Sequence, residues 1–390
     1  MIIYQREGQQ ERKNMNTHNK IFLGCLGFML VFIIGFLYSI LTTENDAGVR
    51  IGVVLPLTGS QAVYGQGIQE GLTLAVEEIN AKTSKKIELL YEDNHGDVKS
   101  SVAAAKKLIE IDKATLLIVG LSQHAVAVAP LAQEQRVVLY TMAAQASALN
   151  TAGDYIFKND ADSSALGDDI AKFMNLQEDD KIGIISAGYS DATKDLTIAF
   201  QKEAESFGSQ VYVESFNKDE TDFRTILTKL NNKGANILLI NGLASDNGRI
   251  LEQIGELNLN QQLFGNSAIE DNQVLATAQK HAEGVIFFTF NGIPSPLFTE
   301  KIQQRYNHTP IRWSMEAYDG LMIINQGISS IPSNKKVTST SLKEALAQIR
   351  EYEGIAGKVA FDQEGNAQRI AFIKTINNSS FRLYEEQLSS

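Results

Sequence analysis

Hydrophobic positions along this chain fall into two regimes. From Ile21 to Leu41 they run without a charge, whereas from Val49 onward they recur with alternating strand and helix periods. Val49–Leu55 reads as a buried strand, and the helix after it places Ile68, Leu72, Ala75, Val76 and Ile79 on one face. Ile87–Tyr91, Thr115–Val119 and Arg136–Tyr140 predict three further strands. Asp97 is placed to cap a helix whose apolar stripe runs through Val98, Val102, Ala105 and Ile109. The same grammar restarts after Asp162, with strands at Lys181–Ser186, Val211–Glu214, Asn236–Ile240 and Val285–Phe288. Helices are predicted through Leu196, Phe200 and Ala204, around Thr225–Leu230 and around Arg249–Leu257. Strands this rich in Val, Ile and Leu suit parallel sheets covered on both faces. The pattern predicts two doubly wound α/β units, not one large sheet, with ligand-facing loops at the carboxyl ends of the strands. Later signals are weaker: Glu316–Ile324 begins a helix, and Phe361–Asn366 reads as a turn between two short strands.

The uncharged block changes where this α/β part is expected to work. About twenty apolar residues, rising about 1.5 Å each, suffice to cross a bilayer core. Arg12, Lys13 and Lys20 precede the block and Glu44 and Asp46 follow it, so the N-terminus is expected inside and the α/β part outside. Residues 1–20 then form a cytoplasmic n-region, 21–41 an anchor and 42–48 a linker. No small-x-small cleavage site follows Leu41, which favours an uncleaved anchor over a removed signal peptide. Met15 is an alternative start that would shorten the n-region. Cys25 is the single cysteine, so the exported part can form no disulfide and offers no thiolate. Leu23-Gly24-Cys25 loosely resembles a lipoprotein processing site, but the apolar run continues past it. A net charge of −11 argues against nucleic-acid binding, which needs clustered Lys and Arg.

Candidate chemistry collects at the strand ends. The first strand leads into Pro56-Leu57-Thr58-Gly59-Ser60 and then Tyr64-Gly65, with no phosphate-loop or dinucleotide fingerprint. The third ends in Gly120-Leu121-Ser122-Gln123-His124 and the fourth in Thr141-Met142-Ala143-Ala144-Gln145. Short side chains and amides at such junctions can clamp a carboxylate without a basic residue. Each neutral hydrogen bond contributes only about 0.5–1.5 kcal/mol, so several must act together. Tyr64, Ser122, Gln123, Ala143, Ala144 and Gln145 are therefore the first-lobe candidates. The second unit offers Tyr189-Ser190-Asp191, Asn241 to Asp246, and Gly265-Asn266-Ser267. Asp191 and Asp246 are candidates for a ligand ammonium, or for helix caps. Enzyme readings find no support: the five histidines show no metal spacing, and no Gly-x-Ser-x-Gly occurs. His124, in an apolar stretch, reads as structural or as a cleft-edge residue. No cofactor is implied.

Taken together, these junctions resemble the type I periplasmic binding proteins, specifically the branched-chain amino-acid (Leu/Ile/Val) receptor family of ABC transport. The likeness rests on Ile51 to Gly59 with Tyr64-Gly65, and on Ala75-Val76-Glu77-Glu78-Ile79-Asn80. Asp222-Phe223, Ala282 to Val285, Ala317-Tyr318-Asp319 and Phe361-Asp362-x-x-Gly365 add to it at the family's intervals. The resemblance implies two lobes joined by three crossings, residues 49–160 with about 291–358 and 161–290 with about 359–390. It puts Tyr64 on the cleft wall, Ser122 on the ligand carboxylate, a backbone contact at Ala143, and Gln145 where the family often has a threonine. In the second lobe Tyr189 lies near the family's tyrosine, Leu243 or Ala244 stands where a cleft aromatic is usual, and Ser267 where an acid pairs with the ligand ammonium. The implied function is an extracytoplasmic solute receptor, with a small polar solute, an ABC permease and ATPase, and the membrane as partners. A sensory module of the same fold is the alternative.

Overall fold

The computed structural model describes residues 48–290, 292 and 294–384. The expected n-region, the 21–41 anchor or signal segment and most of the linker lie outside these residues. Among the described residues no helix is long and apolar enough to cross a membrane.

Two separate sheets organise the molecule. The first holds β1 (Val49–Leu55), β2 (Ile87–Asp93), β3 (Leu116–Gly120), β4 (Val138–Met142) and β5 (Ile156–Lys158), all parallel in the order β2-β1-β3-β4-β5. The second begins with β6 (Lys181–Ala187), β7 (Gln210–Phe216), β8 (Ile237–Asn241), β9 (Gln262–Gly265) and β10 (Ile286–Thr289) in the matching parallel order β7-β6-β8-β9-β10. A small antiparallel sheet follows, β11 (Glu351–Gly354), β12 (Gly357–Phe361) and β13 (Ala367–Gln368). The chain then returns to the second sheet as antiparallel β14 (Phe372–Ile376) and β15 (Phe381–Leu383).

Burial explains the central strands. Every residue of β3, β4 and β8 is buried, whereas the edge strands β2 and β7 are mostly half-exposed. Helices cover both sheets: α1 (Ala62–Lys82), α2 (Val98–Glu110) and α3 (Ser122–Gln135) on the first, then α4 (Ser163–Phe173), α5 (Asp191–Ser206), α6 (Arg224–Asn232), α7 (Ala244–Glu256) and the short α8 (Asn272–Ala278) on the second. Asp97 caps α2 as expected, accepting from Ser100 N at 2.7 Å. The fourth strand starts two residues later than its apolar run suggested. Arg136 closes α3 in the left-handed region (φ 53°), its N–H donating to helix carbonyls, and extended pairing begins beyond it. β5 and β9, at three and four residues, are too short to carry a readable period.

The last helices, α9 (Pro296–Tyr306), α10 (Arg312–Ser330) and α11 (Ser339–Leu346), return to the first sheet. α10 starts four residues before Glu316, where the sequence pattern became legible. It lies so close to α1 that a Cβ on Gly71 would sit 2.0 Å from Ser314 O. Lys301–Glu78 (2.6 Å) and Arg305–Glu77 (2.5 Å) tie α9 to α1. A parallel bridge between Lys158 and Asn366 seats β13 beside β5. Where the chain first leaves this lobe, the fully buried Arg312 guanidinium pairs with Asp160 at 3.1 Å and Glu316 at 2.7 Å. Arg369 Nε, at the last crossing, donates to Asn159 O at 3.2 Å. The first crossing is thus held by buried charge, where loss of one partner is strongly destabilising.

Candidate functional site

Parallel sheets leave their strand-end loops and helix N-termini on one edge, and here the two such edges face each other. A cavity of about 40 Å³ lies between them. From the first lobe it is lined by Tyr64, Leu121, Ser122, Gln123, Ala143, Gln145 and Trp313. Ser163, at the first crossing, and Ser190, Ala192, Thr193, Leu196, Asn241, Leu243, Asn266, Ser267 and Ala268 complete the opposite side.

The first-lobe wall is built on two junctions. Leu121 takes a positive φ of 68° between β3 and α3, turning the chain so that Ser122 and Gln123 open the helix toward the cavity. Ala143, also left-handed at φ 50°, makes the corresponding turn after β4. The two turns are bonded together, since Ser122 Oγ accepts from Gln145 N at 2.9 Å. Gln145 Oε1 accepts the Ser163 hydroxyl at 3.3 Å and the Ser267 hydroxyl at 3.4 Å, while its Nε2 is buried without a partner. The Tyr64 and Trp313 rings pack at 5.0 Å. Burial, chiefly, raises the Tyr64 phenol well above its ordinary pKa.

Opposite, the second-lobe wall is a closed amide network. Asn241 Nδ2 donates to Thr193 O (2.8 Å), Thr197 Oγ1 (2.9 Å) and Ser186 Oγ (3.3 Å). Asn266 Nδ2 donates to Asn241 Oδ1 (2.8 Å) and Gly242 O (2.9 Å), and Asn266 Oδ1 accepts from Asn247 Nδ2 at 3.0 Å. Hydrogen bonds cross between the lobes around the cavity. Ala244 N donates to Tyr64 OH at 2.8 Å, Ser267 to Gln145, Ser147 N to Asp195 at 2.7 Å, and Lys218 Nζ to Gly96 O at 2.8 Å. The lobes therefore stand nearly closed.

Of the residues singled out from sequence, Tyr64, Ser122, Gln123, Ala143, Gln145, Leu243 and Ser267 converge on this cavity. Four do not line it. Ala144 is fully buried behind the wall, its N–H donating to Asp160 at 3.2 Å. Asp191 pairs with Lys194 at 3.3 Å toward solvent. Asp246 caps α7, accepting from Leu243 N at 3.0 Å, and takes the Tyr189 hydroxyl at 2.6 Å, which withdraws both residues from the wall. Burial raises the Asp246 carboxyl above its ordinary pKa, opposed by the Tyr189 bond. Trp313 and Ser163 were missed. Trp313 is the only tryptophan of the chain, and that rarity on a returning helix was the available signal. His124, in the first turn of α3, is fully buried between Ser101 and Gln61, and burial pushes its pKa down to about 4. No group of three or more His, Cys, Asp or Glu among the described residues is arranged to hold a metal.

Comparisons with known proteins agree with this geometry. The Leu/Ile/Val-binding protein homolog 3 of Brucella melitensis biotype 1 is 25% identical over 342 residues, covering 84% of this chain and 90% of that protein. A leucine-binding protein from Thermotoga maritima superposes with a TM-score of 0.80 at 21% identity, covering 86% of this chain and 97% of its own. A solute-binding protein of an ABC transporter from R. palustris, in complex with benzoate, superposes at 0.78 with 17% identity, covering 86% and 95%. At such identities the structural likenesses establish the two-lobed fold alone. The family model described as "Periplasmic binding protein" matches residues 48–378, nearly the whole α/β part, and the chain belongs to that family.

Proposed function

We propose that this extracytoplasmic solute-binding receptor of an ABC importer closes its two lobes on an amino acid or a similarly small polar solute and presents the closed form to a permease. The observation that carries this reading is a cavity lined by strand-end loops of both sheets, bridged by hydrogen bonds that only a closed arrangement makes. Binding would shift an open–closed equilibrium, without turnover. Ser122, Gln123, Gln145 and the Ala143 backbone would hold the solute from the first lobe, with Tyr64, Leu243 and Ser267 closing over it. The Brucella relative is named for leucine, isoleucine and valine, whereas the R. palustris relative holds benzoate, so the fold leaves the ligand class open. The charge asymmetry around residues 21–41 supports an anchor that keeps the receptor beside its transporter and raises its local concentration there. Mass spectrometry of the native protein checks the anchor: retention of residues 21–41 supports it, and a mature N-terminus beyond Leu41 rejects it.

Calorimetry of the purified chain against amino acids, amides and small carboxylates tests the receptor reading, which fails if no compound saturates it. Ser122→Ala is expected to weaken the bound solute about two- to tenfold, the worth of one neutral hydrogen bond. An unchanged dissociation constant would remove Ser122 from the site.

A further inference from the structure

We infer that the cavity takes a small carboxylate that carries no ammonium group, an assignment that rests on the receptor reading and narrows its ligand. None of the described residues lining the cavity is Asp, Glu, Lys, Arg or His. A cation enclosed there would surrender its water without gaining a counter-ion. Two acids act electrostatically on the Tyr64 phenol, Asp246 and Asp271. Neither lines the cavity. Asp246 is engaged by Tyr189 and Leu243, and Asp271 caps α8 through Oδ1, accepting from Gln273 N at 2.8 Å, while its Oδ2 is buried without a hydrogen-bond partner behind the wall. Ser267, which does line it, brings a hydroxyl and no charge.

The same walls are rich in positive partial charge. α3 and α5 both begin at the cavity, and neither Leu121 nor Ser190 caps its helix with a side-chain bond. Their first-turn residues Ser122, Gln123, Ala192 and Thr193 are wall residues. Free helix N–H groups and the aligned backbone dipoles favour an anion. Independently, Gln145 is only 7% exposed, yet its Nε2 has no partner. The Ser122 hydroxyl accepts from Gln145 N and so keeps its own proton for an acceptor. A carboxylate accepts from all these donors and gains from the helix ends. A neutral amide would gain only the hydrogen bonds.

Matched pairs isolate the ammonium. Calorimetry on the full chain, purified in detergent, would compare pyruvate with alanine, 4-methyl-2-oxopentanoate with leucine, and phenylpyruvate with phenylalanine, with 4-methylpentanamide as the neutral probe. The oxo acid of at least one pair is expected to bind tenfold or more tightly than its amino acid. Ser267→Asp, which puts a carboxylate on the second wall, is expected to weaken that oxo acid at least tenfold and to narrow the ratio. Ser267→Asn, neutral and of similar size to Asp, is expected to keep the preference. Amino acids binding as tightly as their oxo acids would overturn this assignment while leaving the receptor reading intact. Tighter binding of the amide than of 4-methyl-2-oxopentanoate would overturn the carboxylate. Saturation by none of the probes would remove this assignment, and failure across the wider panel above would remove the receptor reading too.

Discussion

The two walls of the cavity use similar residue types in opposite ways. In the second lobe, Asn241, Asn247, Asn266, Thr193 and Thr197 bond one another and the local backbone, so their polar groups are consumed by the fold. In the first lobe, Gln145 is also buried but retains an unmatched donor. A buried polar group left unpaired costs on the order of 1–3 kcal/mol. That cost is tolerable where a ligand later removes it. The first wall therefore keeps a side-chain donor for a solute, while the second sets the uncapped start of α5 beside a self-satisfied amide network that closes over it.

Breaking the second wall should have the largest consequence. Asn241→Leu deletes three donated bonds and strands Asn266 and Thr193 partners in a dry network, at a cost of about 3 kcal/mol of stability. Urea unfolding measures it, and an unchanged midpoint would contradict the network's structural role.

Next comes Asp271, buried on the second-lobe side near Tyr64, whose carboxyl burial pushes up to about 6. Because the folded form holds its proton more tightly than the unfolded chain, its stabilisation is fully present below about pH 4. It is lost as pH rises through about 6. Asp271→Asn should therefore be more stable than the wild type by about 3 kcal/mol at pH 7 and nearly equal to it at pH 4. Asp319, pushed up to about 6 by its own burial, titrates in both proteins, so the difference between them isolates Asp271. Parallel stability curves would show that Asp271 does not titrate in this range.

Gln145→Leu sharpens the contrast from the first wall. It removes an unmatched buried donor together with two long bonds accepted from Ser163 and Ser267, so stability should change by less than about 1 kcal/mol while solute affinity falls about tenfold. Loss of stability together with affinity would make Gln145 a structural residue like Asn241. Smallest is Lys218→Ala, which opens the Lys218–Gly96 clasp between the lobes. About a threefold weakening, through faster release, is expected in stopped-flow dissociation of the solute.

Strand-end logic reached much of the cavity from sequence. Ser122, Gln123, Ala143 and Gln145 follow β3 and β4, and a doubly wound sheet leaves such positions on its functional edge. The acidic candidates went elsewhere for a local reason. Asp246 lies in the first turn of α7, where its own helix supplies free N–H groups, and Asp191 stands beside Lys194 one turn on. Trp313 reaches the cavity from a segment some 190 residues after Ser122, a proximity that no local period encodes.

Periodicity and apolar content, read along the chain, determined that two parallel α/β units form and which loops lie at their active edges, because these follow from local backbone geometry and burial. What tertiary structure alone decided is which polar groups on those edges remain unspent. Whether an amide bonds its neighbours, as Asn241 does, or faces a cavity unmatched, as Gln145 does, depends on partners that distant segments bring within about 3 Å.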